Sequence, residues 1–248
     1  MIKYEINKNL TTDFKNFLLN IKEFFNNSSE TIHKARNEIK IIDFKNESLT
    51  IKSFKIPHII NQIVYSFFKS SKAKKSYDNS IKIIGFVPKP IGYIEFKSFG
   101  LLTNSYFVSE NFKYDFTIRE PLIQISFDNR DEVFRQFAKF TFELHEQNIF
   151  HLDYSPGNIL IKKEDNNYIF KIVDINRMQF KELSLDDRMK NFSKLWAKDE
   201  YLEVMIKEYA LLCNKEYNEC INIALKYSIA HKDRINAKKR RRGQAVVD

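Results

Sequence analysis

Apolar and polar residues alternate along several short segments in the first part of the chain, as they do in half-buried β-strands. The segments with this pattern are 2–6, 31–44, 48–54, 91–96 and 105–108. Apolar residues at helical spacing occupy three further segments, 14–25, 59–68 and 71–84. The pattern therefore predicts a mostly β N-terminal lobe over residues 1–108, with inserted helices.

The pattern changes after residue 108 and favours helices. Apolar or small residues three and four positions apart mark one face of a long helix: Phe134, Phe137, Ala138, Thr141 and Leu144. Asn129 and Glu132 have the spacing of a capping box, in which the N-cap side chain and an acid three residues later satisfy each other's amides. We therefore expect this helix to begin after Asn129 and to stop at Asn148.

The remainder of the chain predicts a hairpin and then more helix. Strand-like segments at 159–162 and 168–173 are joined by a polar turn, and helical spacing returns over 186–233. These elements predict a helical C-terminal lobe over 109–237, followed by a flexible basic tail over 238–248. The expected fold class is α+β, with two lobes.

Composition supports a soluble, single two-lobed domain. The 248 residues are 43% apolar and 29% charged, which excludes fibrous and disordered classes for the body of the chain. Only five glycines are present, so a glycine-dependent phosphate loop is not expected. Two cysteines, no secretory segment after Met1, and a longest apolar-leaning run (56–68) too short to span a bilayer predict a cytoplasmic protein.

The net charge of +9 predicts attraction to polyanions. Basic residues are concentrated within 69–75 and in the run 238–242. We expect the second run to hold the protein peripherally at an anionic surface, on the inner face of the cytoplasmic membrane. Nucleic-acid binding through this run is disfavoured, because no base-stacking aromatic residues are interleaved with it.

A candidate catalytic loop lies between the long helix and the hairpin. Phosphoryl transfer requires a carboxylate that orients and deprotonates the acceptor hydroxyl, and oxygen ligands that hold magnesium on the phosphates. Asp153 supplies the carboxylate, and Asn158, five residues later, supplies an amide oxygen. Asp174, at the end of the second hairpin strand, supplies the second metal ligand. This spacing matches the catalytic loop and metal-binding Asp of protein kinases.

Each of these residues has an ordinary explanation when taken alone, as a turn former or a strand terminator. Helix, loop, hairpin and terminal Asp nevertheless follow one another in the order and spacing that the chemistry needs, which favours the catalytic interpretation. We expect His151 to orient the loop through hydrogen bonds, since Asp153 already occupies the position of the base.

The N-terminal half should provide a lysine for the ATP phosphates from an alternating apolar strand. Lys52 fits this position best, although a solvated strand lysine remains the alternative. A Glu on the following helix is the usual partner, but segment 71–84 contains none, and Asp78 is the only acid within reach. No glycine-rich strand pair precedes Lys52, so Arg36 or backbone amides could cover the phosphates instead.

With these residues identified, the chain resembles the lipopolysaccharide kinase family, the Kdo and heptose kinases that share the protein kinase fold. The resemblance extends over residues 30–212 and rests on Lys52, the segment 71–73, the loop 151–158, and Asp174 with Arg177 shortly after it. It implies ATP and Mg²⁺ as cofactors and a two-lobed protein-kinase-like fold.

The same resemblance implies roles for particular residues. Lys52 would bind ATP phosphates, Asp153 would be the base, and Asn158 and Asp174 would hold magnesium. Segment 106–110, including Val108 and Glu110, would connect the lobes and contact adenine through its backbone.

We therefore hypothesise an ATP-dependent kinase that phosphorylates a sugar hydroxyl of the lipopolysaccharide inner core or of a related glycolipid. Two alternatives stay open. One is a small atypical kinase acting on Ser, Thr or Tyr. The other is a non-catalytic kinase-like module that binds a partner, motivated by the missing helix Glu and glycine loop.

Overall fold

The computed structural model describes residues 1–7, 12–29, 31–34, 37–54, 69–165 and 167–246. The chain divides into two compact units, Met1–Lys113 and Tyr114–Asp248. The first is built mainly on an antiparallel sheet and the second mainly on helices, which confirms the predicted α+β class. Residues 109–113, assigned from sequence to the C-terminal lobe, group with the first unit.

Six strands of the first unit form a single sheet in the order β1-β5-β6-β4-β3-β2, and every neighbouring pair is antiparallel. The strands are β1 (Ile2–Ile6), β2 (Thr31–Lys34), β3 (Asn37–Phe44), β4 (Glu47–Phe54), β5 (Pro90–Ser98) and β6 (Leu101–Glu110). Lys45 and Asn46, both with positive φ, form the tight turn between β3 and β4.

Helices cover both faces of this sheet. One face packs against α1 (Thr12–Leu19) and α2 (Ile21–Asn27), where Phe17 and Leu18 join Ile51 of β4 in the core. The other face packs against α3 (Lys72–Lys82). There Tyr77 of the helix joins Phe54 and Tyr93 in a second, smaller cluster.

Gly92 of β5 marks a close approach on the first face. A Cβ at this position would lie 2.6 Å from the carbonyl oxygen of Glu5 and 2.7 Å from Leu18 Cδ1. Both distances are shorter than real Cβ contacts, so only glycine fits without a shift of strand β1 or helix α1.

Two predictions for this unit need correction. The single helix predicted over 14–25 is interrupted at Asn20 and consists of α1 and α2. The single strand predicted over 31–44 consists of β2 and β3, which pair with each other. The helix predicted over 59–68 lies outside the described residues.

The second unit contains two small sheets and a group of helices. Its strands are β7 (Phe116–Thr117), β8 (Ile149–His151), β9 (Ile159–Glu164), β10 (Asn167–Ile172) and β11 (Met178–Phe180). Its helices are α4 (Arg119–Ile123), α5 (Arg130–Glu146), α6 (Leu185–Phe192), α7 (Asp199–Leu212) and α8 (Tyr217–Arg241), with short 3-10 turns at Pro156–Asn158 and Ser193–Leu195. Helix α5 buries the predicted apolar face against α7 and β10.

The predicted capping box at the start of α5 is wrong. Asn129 has a left-handed backbone conformation, with φ of 55°, and its side chain makes no cap hydrogen bond. Glu132 instead accepts hydrogen bonds from Arg135 and Gln136, which lower the pKa of its carboxyl. The backbone carbonyl of Asn129 still accepts the first helical hydrogen bond, so the helix begins where predicted.

The C-terminal basic run differs from the expected flexible tail, because α8 continues through Arg241. The helix ends in a Schellman motif: Gly243 has φ of 64°, its amide donates to Arg240 O, and the amide of Gln244 donates to Lys239 O. The basic residues thus occupy the last helical turn. In the described part of the chain, no helix is both long and apolar enough to cross a membrane.

Candidate active site

The loop that carries Asp153 connects β8 to β9 and is tied together by its own hydrogen bonds. The carbonyl of Asp153 accepts from the amide of Ser155 at 2.8 Å and from Asn158 Nδ2 at 2.9 Å. Because the side-chain nitrogen of Asn158 is directed at this carbonyl, its oxygen is the atom left to face a ligand. The loop therefore fixes the side chain of Asn158 and the backbone that carries Asp153.

Asp174 lies where strand β10 has just ended, beside the start of β9. The amide of Val173 donates to the carbonyl of Asn158 at 2.9 Å, so the two predicted metal ligands belong to directly bonded backbone segments. Asp174 has φ of 56°, and its carboxylate accepts a 2.6 Å hydrogen bond from Asn176. A carboxylate and an amide oxygen form a donor set that fits Mg²⁺, with phosphates and water as the other ligands.

His151 joins the loop to the end of the hairpin. Its Nε2 lies 3.1 Å from the carbonyl of Val173, and its Nδ1 accepts the amide of Asp153 at 3.0 Å. The carbonyl can only accept, so Nε2 carries the proton and the ring is neutral. Burial lowers the pKa of His151 and supports the neutral form. This geometry suits the predicted orienting role better than proton transfer.

Asp153 is accessible where His151 is not. Its side chain is 41% exposed, and Arg177 Nη1 lies 3.8 Å from its carboxylate. The chain is held at this point by a backbone hydrogen bond from Leu152 to the carbonyl of Arg177. A hydroxyl from solvent can therefore reach the carboxylate, while an exposed guanidinium lies beside it.

Lys52 lies in β4 on the sheet face that packs against α3. Its Nζ is 5.4 Å from the centroid of the Phe54 ring. Asp78, the predicted partner, lies on α3 and forms a two-pronged ion pair with Lys74, one helical turn earlier, at 2.8 and 2.7 Å. Asp78 thus already has a cationic partner on its own helix.

A buried acid that the sequence analysis did not single out lies on the same face. Glu95 of β5 is only 5% exposed, and strand alternation places it on the side of Tyr93, towards α3. Its position within the buried strand segment 90–95 is the signal that would have identified it.

Val108 and Glu110, predicted to connect the lobes and contact adenine, both lie in strand β6. Val108 does not lie in a connection between units but inside β6, paired on one edge with Ile51 and on the other with Gly92. Glu110 is the last residue of β6, and its amide donates to Lys89 O. Contact of either residue with adenine stays a prediction. Arg36 lies outside the described residues.

The sequence analysis also did not identify a buried polar network that contacts the start of the loop. Asn191 of α6 donates to the carbonyl of His151 at 3.0 Å, and its side-chain oxygen lies 3.0 Å from His145 Nε2 of α5. Nδ1 of His145 lies 2.9 Å from the hydroxyl of Tyr209 on α7. All three side chains are buried, so this network connects three helices to the start of the catalytic loop.

Comparison with known proteins shows which fold this is. No protein-family model matches the sequence, and no curated protein matches it significantly. Among solved structures, WaaP in complex with acyl carrier protein is similar with a TM-score of 0.56 and 10% identity, over 94% of this chain and 97% of that chain. The Rio2 kinase of Chaetomium thermophilum, in an ADP/Mg²⁺-phosphoaspartate complex, gives a TM-score of 0.48 and 13% identity over 90% and 71% of the two chains.

The likeness to WaaP extends over nearly the whole of both chains. At 10% identity the likeness concerns the fold and not the substrate. It confirms the protein-kinase-like fold class that the sequence predicts.

Proposed function

We propose that this chain is an ATP- and Mg²⁺-dependent kinase that phosphorylates a sugar hydroxyl of the lipopolysaccharide inner core, Kdo or heptose, or of a related glycolipid. The observation that carries the proposal is a set of three hydrogen bonds that join the loop to the end of the hairpin. They run from Asn158 Nδ2 to Asp153 O, from the amide of Val173 to Asn158 O, and from His151 Nε2 to Val173 O. These hydrogen bonds hold together the backbone segments that carry the two carboxylates and the amide oxygen of Asn158, as a metal and phosphate site requires.

Each residue has a specific task in the proposed reaction. Asp153 orients the acceptor hydroxyl and receives its proton, since it is the accessible carboxylate of the loop. Asn158 and Asp174 hold Mg²⁺, which neutralises charge on the phosphates of ATP. Lys52 binds ATP phosphates, and the backbone near Glu110 binds adenine.

A sugar acceptor is preferred over a peptide for two reasons. The sequence after Asp174 contains no Ala-Pro-Glu segment, and its helices α6 to α8 follow after a short strand, so a long regulated activation loop is missing. The net charge of +9 also suits an anionic glycolipid at a membrane surface. The protein would then act peripherally on the cytoplasmic side.

The direct test replaces Asp153 by Asn. Transfer of label from radiolabelled ATP to a panel of deep-truncated lipopolysaccharides should fall by about 10²–10⁴-fold, the usual contribution of a general base. The affinity for Mg·ATP, measured by calorimetry, should stay within a few-fold of wild type, because the metal ligands are intact.

Asp165→Asn is the matched control, since Asp165 is an exposed residue in the turn between β9 and β10 and has positive φ, which Asn accepts. It should leave both measurements unchanged. Full turnover by Asp153→Asn would remove Asp153 from the base role. Absence of Mg·ATP binding by the wild-type protein would reject every kinase assignment.

A further inference from the structure

Three positive charges lie on neighbouring elements of the second unit, near the segment that supports the loop of Asp153. Lys190 lies in the last turn of α6, Lys194 lies in the 3-10 turn that follows, and Arg234 lies on α8, which packs against both. We call Lys190, Lys194 and Arg234 the cationic cluster. His231 and Trp196 lie beside it, with their ring centroids 6.1 Å apart.

The cluster is held close to the catalytic loop. The 3-10 turn Ser193–Leu195 begins two residues after Asn191, whose side chain donates to the carbonyl of His151. Asp153 lies near enough to raise the pKa of Lys194, although burial and the charges of Arg234 and Lys190 lower that pKa overall. The turn that carries Lys194 is therefore held beside the loop by the Asn191 hydrogen bond, and α8 with Arg234 packs against that turn.

This arrangement is electrostatically unfavourable as it stands. Within the parts of the chain that the structure describes, neither Lys194 nor Arg234 forms an ion pair with a carboxylate. Arg234 instead lies with Nη2 3.3 Å from Nδ1 of His231. Lys194 is half-buried, whereas Lys190 and Arg234 are exposed. Repulsion of the half-buried Lys194 ammonium by the two neighbouring cations is reduced when an anion binds among them.

His231 adds a neutral hydrogen-bonding group to the cluster. Burial, together with the charges of Lys194 and Arg234, lowers the pKa of His231 to about 4. Its Nδ1 is then an acceptor for the Arg234 guanidinium, three residues later on the same helix. The guanidinium is thereby partly ordered before a ligand arrives.

We propose that the cationic cluster binds an anionic group, a phosphate or a carboxylate, that the acceptor carries near the hydroxyl facing Asp153. This inference rests on the proposed function and defines its acceptor class: a sugar that already bears negative charge. A neutral sugar would leave the cluster uncompensated and would be a poor acceptor. Trp196 and His231 border the cluster and would contact the sugar ring.

Trp196 provides the test, because it is the only tryptophan in the sequence. Its fluorescence would be titrated with inorganic phosphate, glucose 6-phosphate, glucuronate and, as the neutral probe, glucose. We expect saturable responses to at least one of the anionic probes and none to glucose. The double variant Lys194→Gln/Arg234→Gln should weaken anion binding by at least about tenfold, since two charge-assisted hydrogen bonds are lost.

Two further variants keep the result interpretable. Lys226→Gln removes one exposed charge from the same helix, α8, and should bind the anions like wild type. Lys194→Arg/Arg234→Lys preserves both charges and should retain most of the affinity, which separates loss of charge from loss of folding. Equal anion affinity in wild type and in the double Gln variant overturns the proposal, as does an equal response to glucose.

The same anion titration in the presence of Mg·ATP tests whether the cluster binds the nucleotide. Saturating Mg·ATP should leave the anion affinity within a few-fold of its value without nucleotide. Competitive displacement of glucose 6-phosphate by Mg·ATP would overturn the proposal and assign the cluster to the nucleotide phosphates. Failure of Mg·ATP to bind would refute the proposed kinase function, while the anion titration would still report on the cluster.

Discussion

Two buried histidines lie behind the catalytic loop, and hydrogen bonding fixes each of them in a neutral form. His145 accepts at Nδ1 from Tyr209 and donates from Nε2 to the side-chain oxygen of Asn191, whose amide group donates to His151 O. Burial lowers the pKa of His145 to about 4, with the Asn191 hydrogen bond opposing this shift and the charge of Arg188 adding to it. The loop is thus supported by a network that works only when the imidazole is uncharged.

This buried imidazole predicts a loss of stability in acid. Between pH 6.5 and about 4 the unfolded chain binds a proton at His145 that the folded chain does not, so the free energy of unfolding falls as the pH falls. Over the whole interval the contribution is about 3 kcal/mol, from 1.36 kcal/mol per pKa unit. Urea unfolding followed by circular dichroism across this interval measures it.

His145→Gln is the control, because it removes the titrating group and keeps a polar side chain. The variant should be less stable than wild type at neutral pH but should lose stability less steeply below pH 6.5. The difference in slope corresponds to at most one proton bound on unfolding. His151 and His231, whose pKa values are also lowered by burial, remain in the variant and give both proteins some acid sensitivity. Parallel stability curves would show that His145 is not held neutral.

Sequence could identify the residues of the loop but not those that support it. Asp153, Asn158 and Asp174 are recognisable because their spacing is fixed by local elements, a turn and a hairpin. Asn191 and His145 are 46 residues apart, and nothing local distinguishes Asn191 from any other polar helix residue. Their relation arises only when the helices pack.

At the scale of elements, the close packing of β5 against β1 and α1 depends on the absence of a side chain at Gly92. Gly92→Ala would place Cβ 2.6 Å from a backbone oxygen, which cannot move without displacing β1. We expect a loss of about 1–3 kcal/mol in the free energy of unfolding, the range for overpacked sites. Chemical denaturation measures this loss.

Ser98→Ala, at the exposed end of the same strand, serves as the comparison and should change stability by less than about 0.5 kcal/mol. If Gly92→Ala were as stable as Ser98→Ala, β1 and α1 would not pack on β5 as closely as described.

The elements could be predicted where periodicity alone determines them. Helix α5 and the β9–β10 hairpin were predicted correctly, because a long apolar stripe and a polar turn are local signals. The break between α1 and α2 at Asn20 was not, since the apolar stripe continues on both sides of it and only packing shows the change of direction. Gly243, after a basic run, was an available helix-end signal that went unused.

At the scale of the whole molecule, the positive charge predicts binding to anionic membranes. Vesicles containing phosphatidylglycerol should retain the protein at low salt and release it as salt rises, since screening weakens the attraction. Replacing the exposed Lys238, Arg240 and Arg241 by Gln should weaken vesicle binding at least about tenfold, from about 1 kcal/mol per charge. Co-sedimentation measures the effect.

A second triple variant, Lys163→Gln/Lys207→Gln/Lys226→Gln, removes the same charge from exposed positions elsewhere in the second unit. It should reduce binding much less. An equal reduction in both variants would attribute vesicle binding to net charge and not to the end of α8. Binding to neutral phosphatidylcholine vesicles of equal strength would exclude an electrostatic mechanism.

The fold class could be predicted because the order of strands, helix, loop and hairpin is itself distinctive. The acceptor could not, because a likeness confined to the fold carries no information about the sugar. The side chains that we propose to select the acceptor, Lys194 and Arg234, come from segments far apart in the chain. Their grouping depends on how α6 and α8 pack.

The Schellman end of α8 has one more implication. Consecutive residues on a helix point about 100° apart, so the helix fixes the directions in which the cations of its last turn project. Lys239 faces Trp196, with its Nζ 5.6 Å from the ring centroid, while Lys238, Arg240 and Arg241 are exposed. A flexible tail would permit any orientation of the second unit at a lipid surface. A helical end with fixed cations would instead favour one orientation, and if the protein binds anionic vesicles as predicted, this end would determine which side of the second unit meets the headgroups.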